Sequence, residues 1–258
     1  MGPSQRSGTA TPIGVDIGGT GIKGAPVDVT RGALAADRVR LLTPVPATPE
    51  RVGETVGEVV GQLDGSGPVG ITMPAVVRSG AVETAANIDK SWIGVDATEL
   101  FADALRREVV VMNDADAAGL AEMSFGAGKG HHGTVVVVTL GTGIGSAVFS
   151  DGVLLANTEL GHLPLEGGDA EDWAADSARD RDDLSWKHWA HRLQKYFELL
   201  ESLIWPELII VGGGVSKKAD KFLPRIEIRT PLVAAQLQNE AGIIGAAVHA
   251  TSSSPTTA

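Results

Sequence analysis

The chain has 258 residues, 43% hydrophobic and 21% charged, enough for one large domain or two modest ones with cores of their own. A formal net charge of −11 argues against a general nucleic-acid binder, and no run is apolar over the ~18 residues that a membrane helix needs. With no cysteine there is no disulfide, thiolate metal site or Cys nucleophile, so the cytoplasm is the expected compartment.

Residues 1–12, "MGPSQRSGTATP", lack an apolar signal core and read as a disordered tail. "PIGVDI" is a β-branched run that ends in glycines, the mark of a buried strand. The segment from Ile22 to Val45 then reads as strand, turn and strand. Pro49 to Leu63 spaces Val52, Val56, Val59, Val60 and Leu63 at helical intervals, with Thr48 as N-cap. Strand-like "VGIT" follows, and a Pro/Gly-rich region runs to about Gly94.

A second unit begins near "EVVVMNDADAAGLAE": four apolar residues, Val109 to Met112, lead into Asn113 and Asp114 and then a helix with Asp116 as its cap. "TVVVVTLGTGIGSAVFSDGVLLA" predicts strand, Gly loop, strand, an Asp151-Gly152 hairpin turn and a third strand. Residues 169–205 read as mostly helical, "LIIVGGGVSKK" as strand, Gly loop and helix start, and "NEAGIIGAAVHA" as a closing helix, with residues 251–258 as a second tail.

"VDIGGTGI" at Val15 to Ile22 is echoed by "VTLGTGIG" at Val138 to Gly145, which suggests a duplicated fold gripping one ligand between two halves. Gly19, Gly21 and Gly24 also satisfy the dinucleotide pattern G-x-G-x-x-G. That motif must open into a helix, whereas Pro26 and the alternation "PVDV" favour a strand, which counts against a nicotinamide oxidoreductase. In a hairpin apex, Gly18, Gly19, Thr20 and Gly21 instead turn N–H groups and a hydroxyl toward a phosphate. Asp16 is then placed to hold Mg²⁺, directly or through water, and Lys23 to meet phosphate charge.

Five segments in order resemble the actin, Hsp70 and sugar-kinase superfamily: "DIGGTGIKG", "NDADAAGLAE", "TLGTGIGSA", "IIVGGGVSKK" and "NEAGIIGAA". The resemblance implies an α/β fold, a two-domain actin-like ATPase (ribonuclease H-like) architecture with duplicated mixed sheets and a central cleft. Residues 13–112, completed by the helix 242–250, would form the small domain and 113–241 the large one. It also makes Gly141, Thr142 and Gly143 the second phosphate loop, and Gly213 and Gly214 the nucleotide-side loop.

"NTELGHLPLEGGDAED" resembles the sugar-binding signature of the ROK group of repressors and kinases. The resemblance implies sugar contacts from Glu159, His162, Glu171, Asn113 and Asn87, with Asp114 as general base; the other acids of "DAEDWAAD" compete with Glu171. The usual Cys-rich zinc motif after "GH" is missing, so no zinc is expected at His162. That cysteine-free loop, "ARDRDDLSW" and "RTPLVAAQLQNEAGIIGAA" resemble the bacterial polyphosphate glucokinases, some of which also take mannose. The resemblance implies transfer of a phosphoryl group from inorganic polyphosphate or ATP to the 6-hydroxyl of glucose, with Mg²⁺. An ATP-only hexose or amino-sugar kinase, or a sugar-responsive regulator, is the alternative, and a homodimer is the expectation by analogy.

The donor leaves its own trace in "KKADKFLPRIEIR", where Lys217, Lys218, Lys221, Arg225 and Arg229 face only Asp220 and Glu227. A stripe of this kind suits a long polyanion better than ATP.

Overall fold

The structure is a computed structural model that describes residues 10–86 and 88–253. Its first half builds a sheet from β1 (Ile13–Ile17), β2 (Ile22–Asp28), β3 (Ala33–Leu34) and β4 (Val39–Leu41), followed by helix α1 (Pro49–Gly61) and β5 (Val69–Met73). A small hairpin, β6 (Val77–Arg78) and β7 (Ala81–Val82), precedes α2 (Ala97–Leu105), and β8 (Val109–Asn113) completes the sheet in the order β3-β2-β1-β5-β8, with β4 paired to β2. Helix α3 (Asp114–Phe125) then leads out of the first half.

The second half repeats the plan. A hairpin of β9 (Thr134–Leu140) and β10 (Ile144–Ser150) extends to β11 (Val153–Leu155). After the short hairpin β12 (Pro164–Leu165) and β13 (Gly168–Asp169) come helices α4 (Ala170–Ala174), α5 (Asp176–Arg181) and α6 (Trp186–Ile204). Strands β14 (Leu208–Gly212) and β15 (Leu232–Ala234) give the order β11-β10-β9-β14-β15 before the closing helix α7 (Ala241–Ser253). Each sheet therefore starts with a Gly-turn hairpin whose first strand pairs in parallel with a later one, β1 with β5 and β9 with β14. This is the duplication that the echoed glycine segments predict.

Side-chain periodicity accounts for the elements. Val52, Val56, Val59 and Val60 line the buried face of α1, and Trp189, Leu193, Tyr196, Phe197 and Leu200 that of α6, each at 3- or 4-residue spacing. Their apolar stripes cover one sheet each, giving two separate cores: one around Ile13, Val15, Ile71 and Phe101, the other around Val136, Val138, Ile209 and Trp189. The opposite face of the first sheet is covered by α7, and its glycines allow the contact. A methyl group on Gly14 would sit 1.8 Å from the Ile243 carbonyl oxygen, and one on Gly70 1.8 Å from that of Ala246.

Four expectations need correction. Thr11 and Pro12 are not tail: their carbonyls accept hydrogen bonds from Gly67 and Val27. Residues 251–253 continue α7 rather than opening the second tail, while residues 1–9, 254–258 and Asn87 lie outside the described residues. Asp116 does not cap α3; the Asn113 side chain does, accepting from the N–H groups of Ala115 and Asp116. Thr48 holds the N-cap position of α1 without a side-chain bond. Helix α2 has no counterpart among the sequence-based expectations, although Asp96 caps it by accepting from Glu99 N and Phe101 packs on Trp92. Among the described residues no helix is long and apolar enough to cross a membrane.

Candidate active site

Parallel pairing brings the carboxyl ends of three strands together. Asp16 on β1 is in register with Thr72 on β5, and Thr72 with Met112 on β8, so that Asn113 and Asp114 follow directly beside them. In the second sheet Thr139 on β9 is level with Gly212 on β14, which sets Gly141 to Gly143 beside Gly213 and Gly214. These two sets of strand ends meet across a cleft of about 570 Å³. Ligands of α/β sheets bind at such ends. A second hollow, about 650 Å³, lies between α1 and α2, lined by Glu50, Glu54 and Glu58, and contains none of the expected site residues.

The cleft brings together Asp16, Gly18, Gly19, Thr20, Lys23, Asn113, Asp114, Gly141, Thr142, Gly143, Glu159, His162, Glu171, Gly213 and Gly214. Both glycine loops have carbonyls tied back: Thr43 Oγ1 donates to Gly18 O (2.5 Å), Arg40 Nη2 to Thr20 O (3.2 Å) and Ser177 Oγ to Thr142 O (2.5 Å). Gly21 closes the first turn, its own carbonyl accepting from Gly18 N. Gly213 has φ +82° and a Cβ there would fall 2.2 Å from Leu140 O, so only glycine serves. Asp16 accepts from Lys23 Nζ (3.2 Å) and Thr72 Oγ1 (3.1 Å); Thr72 had no signature of its own in the sequence.

Acids crowd one end of the cleft. Burial, then the charges of Asp16 and Glu159, raises Asp114 to about 7, against the bonds from Ala115 N and its own N–H that favour the ionised form. Burial also raises Glu159, with Glu171 adding to the shift and His162 opposing it. His162 Nδ1 donates to Asp169 Oδ2 (2.9 Å) and its Nε2 lies 3.5 Å from Glu159 Oε2. Burial pulls His162 down, but the bond to Asp169 and the charges of Glu171 and Glu159 outweigh it, so its net shift is upward. Glu171 Oε2 accepts from Ile144 N, which fixes it under the second glycine loop. Asp169 is a residue that the sequence reading missed among the acids of "DAED"; its place seven residues after His162, across the β12–β13 hairpin, was the available signal. Asn113 donates one amide hydrogen to Ala75 O besides its two cap bonds, leaving one donor uncommitted among the described residues.

The basic stripe divides. Lys218 and Lys221 place their ammonium groups 5.7 and 5.5 Å from the centre of the Trp186 ring, which Arg179 also covers at 4.4 Å. Arg229 turns elsewhere, stacking on Trp205 at 3.8 Å and reaching Glu201, while Arg225 Nε is bonded to Lys221 O and Lys217 is exposed.

The ROK family model matches residues 12–180. The polyphosphate glucokinase of Mycobacterium tuberculosis is 50% identical over 246 residues, covering 95% of this chain and 91% of that protein, and the Mycobacterium leprae polyphosphate glucokinase is 49% identical over 96% of this chain and 78% of its own. The crystal structure of the inorganic polyphosphate/ATP-glucomannokinase from Arthrobacter sp. strain KM is 52% identical, with a TM-score of 0.93 over 95% of this chain and all of that one. The Streptomyces griseus ROK glucokinase, crystallised with glucose and AMPPNP, is 26% identical with a TM-score of 0.81 over 95% of this chain and all of its own. Fold, cleft and relatives agree, and the chain belongs to the ROK family.

Proposed function

We propose that the protein is a phosphotransferase that moves the terminal phosphoryl group of inorganic polyphosphate, or of ATP, to the 6-hydroxyl of glucose, with mannose as a second acceptor. Half of its residues are shared with a polyphosphate glucokinase along nearly the whole chain. One observation in the site carries the chemistry: a carboxylate raised to about 7 stands at the strand ends of a cleft that two glycine loops enter.

A sugar hydroxyl is a weak nucleophile at neutral pH, and a base with a pKa near the working pH is the suitable partner. Asp114 takes the 6-hydroxyl proton as that oxygen bonds to the terminal phosphorus. The bond from phosphorus to the bridging oxygen breaks, and the shortened polyphosphate or ADP departs with its electron pair. With carbonyls tied back and the N–H groups of Gly18 and Gly141 bonded within their own turns, the loops offer the main-chain N–H groups of Gly19 to Gly21 and of Thr142 and Gly143 to the donor. Glu159, His162, Glu171 and the amide of Asn113 suit hydroxyls, which both donate and accept.

Mg²⁺ fits the residues present. Among the described residues no three His, Cys, Asp or Glu form a cage, but this ion takes one or two carboxylates and draws its other ligands from phosphates and water. Asp16, beside the first glycine loop, is the residue to hold it, directly or through water. When bound there, the ion neutralises charge on the donor phosphates.

The test is the purified protein with glucose and Mg²⁺, given polyphosphate or ATP in separate reactions, with glucose 6-phosphate measured. Formation with polyphosphate is expected; formation with ATP alone would replace the reading by an ATP-only kinase. Asp114→Asn should still bind glucose and lose turnover by a factor of about 10² or more. Near-normal turnover would sink the assignment of the base.

A further inference from the structure

Asp116 is unused by the chemistry above, yet it is built in at a cost. It is 2% exposed, its Oδ2 accepts from Asn157 N (2.7 Å), and its Oδ1 has no hydrogen-bond partner among the described residues. Burial raises it to about 6. A half-satisfied buried carboxyl is expensive where an apolar side chain would fill the space, and departures of that kind concentrate where function requires them.

Its partner is equally unusual. Asn157 holds a left-handed backbone, φ +59°, and its side chain forms two bonds to one residue of the other sheet's half: Val77 N donates to Asn157 Oδ1 (3.0 Å) and Asn157 Nδ2 donates to Val77 O (2.9 Å). The next residues are tied to β10, because Ser146 Oγ donates to Thr158 O (2.6 Å) and accepts from Leu160 N (3.0 Å). Residues 157, 158 and 160 are thus anchored on α3, β6 and β10, and Glu159, held between them, lines the cleft together with Thr158. Asp116 stands two residues after Asp114 on the same helix, so one rigid element carries both the base and the anchor of the acid facing it.

We propose that Asp116 is a positioning residue: acting through Asn157, it holds Glu159 in register with Asp114 and so sets the affinity for the acceptor sugar without touching it. The inference rests on the sugar-kinase reading. It predicts an acceptor effect that is the same with either donor. Misplacement of a substrate-holding group by about an ångström is costly, so Asp116→Ala should raise the glucose KM roughly tenfold with both polyphosphate and ATP, while each donor's KM stays within about twofold. Asp116→Asn should restore a glucose KM near that of the wild type, since a carboxamide oxygen still accepts from Asn157 N–H.

Steady-state kinetics with each donor, glucose titration calorimetry without donor, and melting curves make the test. A folded Asp116→Ala protein with an unchanged glucose KM overturns the proposal. So does a rise in glucose and donor KM together, which would mark a general loosening, and so does an Asp116→Asn protein as impaired as Asp116→Ala. Should Asp116→Ala not fold, Asp116→Leu fills the space while removing the acceptor for Asn157 N–H; a rise in glucose KM at constant donor KM supports the proposal, and no rise overturns it. Wild-type protein that neither binds nor phosphorylates glucose would instead sink the functional reading.

Discussion

Burial and the charges of Asp16 and Glu159 leave Asp114 half protonated near neutrality. Only the ionised form accepts a proton, so kcat/KM for glucose should climb as pH rises through about 7 and level off above it. A profile flat between pH 6 and 8 would remove Asp114 from that role. The same shift affects stability with the opposite sign. The folded value of about 7 lies above the ordinary 3.8, so ionising Asp114 costs the folded state; the cost accumulates from about pH 4 to 7 and is complete above. Asp114→Asn should therefore melt higher than the wild type at pH 8, and calorimetric scans at lower pH should show the gap closing. Site positions were legible where a motif carries them, as at Asp114, Glu159 and His162, which all line the cleft. They were not legible where a role depends on a partner far along the chain: Thr72 meets Asp16 across 56 positions and Asn157 meets Asp116 across 41.

Elements with strong periodicity were readable from sequence, and both glycine hairpins came out at their expected places. Helix α2 was readable in principle, for Asp96 and Glu99 form a start signal and Phe101 and Leu105 continue an apolar face, but the Gly/Pro-rich stretch before it masks the onset. What composition could not reveal is how closely α7 approaches the first sheet. Backbone meets backbone at Gly70 and Ala246, so Gly70→Ala should destabilise by roughly 3 kcal/mol or more, because neither side can retreat. Denaturant titration should show the loss, whereas Gly57→Ala, open on all sides in α1, should stabilise or leave the midpoint unchanged.

For the whole molecule, a net charge of −11 opposes the approach of a polyanionic donor, and attraction has to be local. Lys218 and Lys221 beside Trp186 form such a locality on the turns that follow Gly213, whereas Arg179 over the same ring is paired with Asp176 and Asp180. Reversing Lys218 and Lys221 to Glu should raise the KM for long-chain polyphosphate roughly tenfold and that for ATP far less, with the difference shrinking as salt is added. Equal effects on both donors would dismiss a polyphosphate path there. The stripe was visible as composition, but its division was not, since Arg229 turns to Glu201 on α6 and to Trp205 just after that helix.

The cover that α7 lays over the first sheet also bears on the order of assembly during synthesis. Strands β9 to β15 lie within about a hundred consecutive residues and can pair as soon as they leave the ribosome, whereas β1, β5 and β8 are made early and remain bare on one face until Ala241–Ser253 emerges. The half translated first is thus the last to be finished, and its exposed glycine-lined face is the surface that a nascent-chain chaperone would meet.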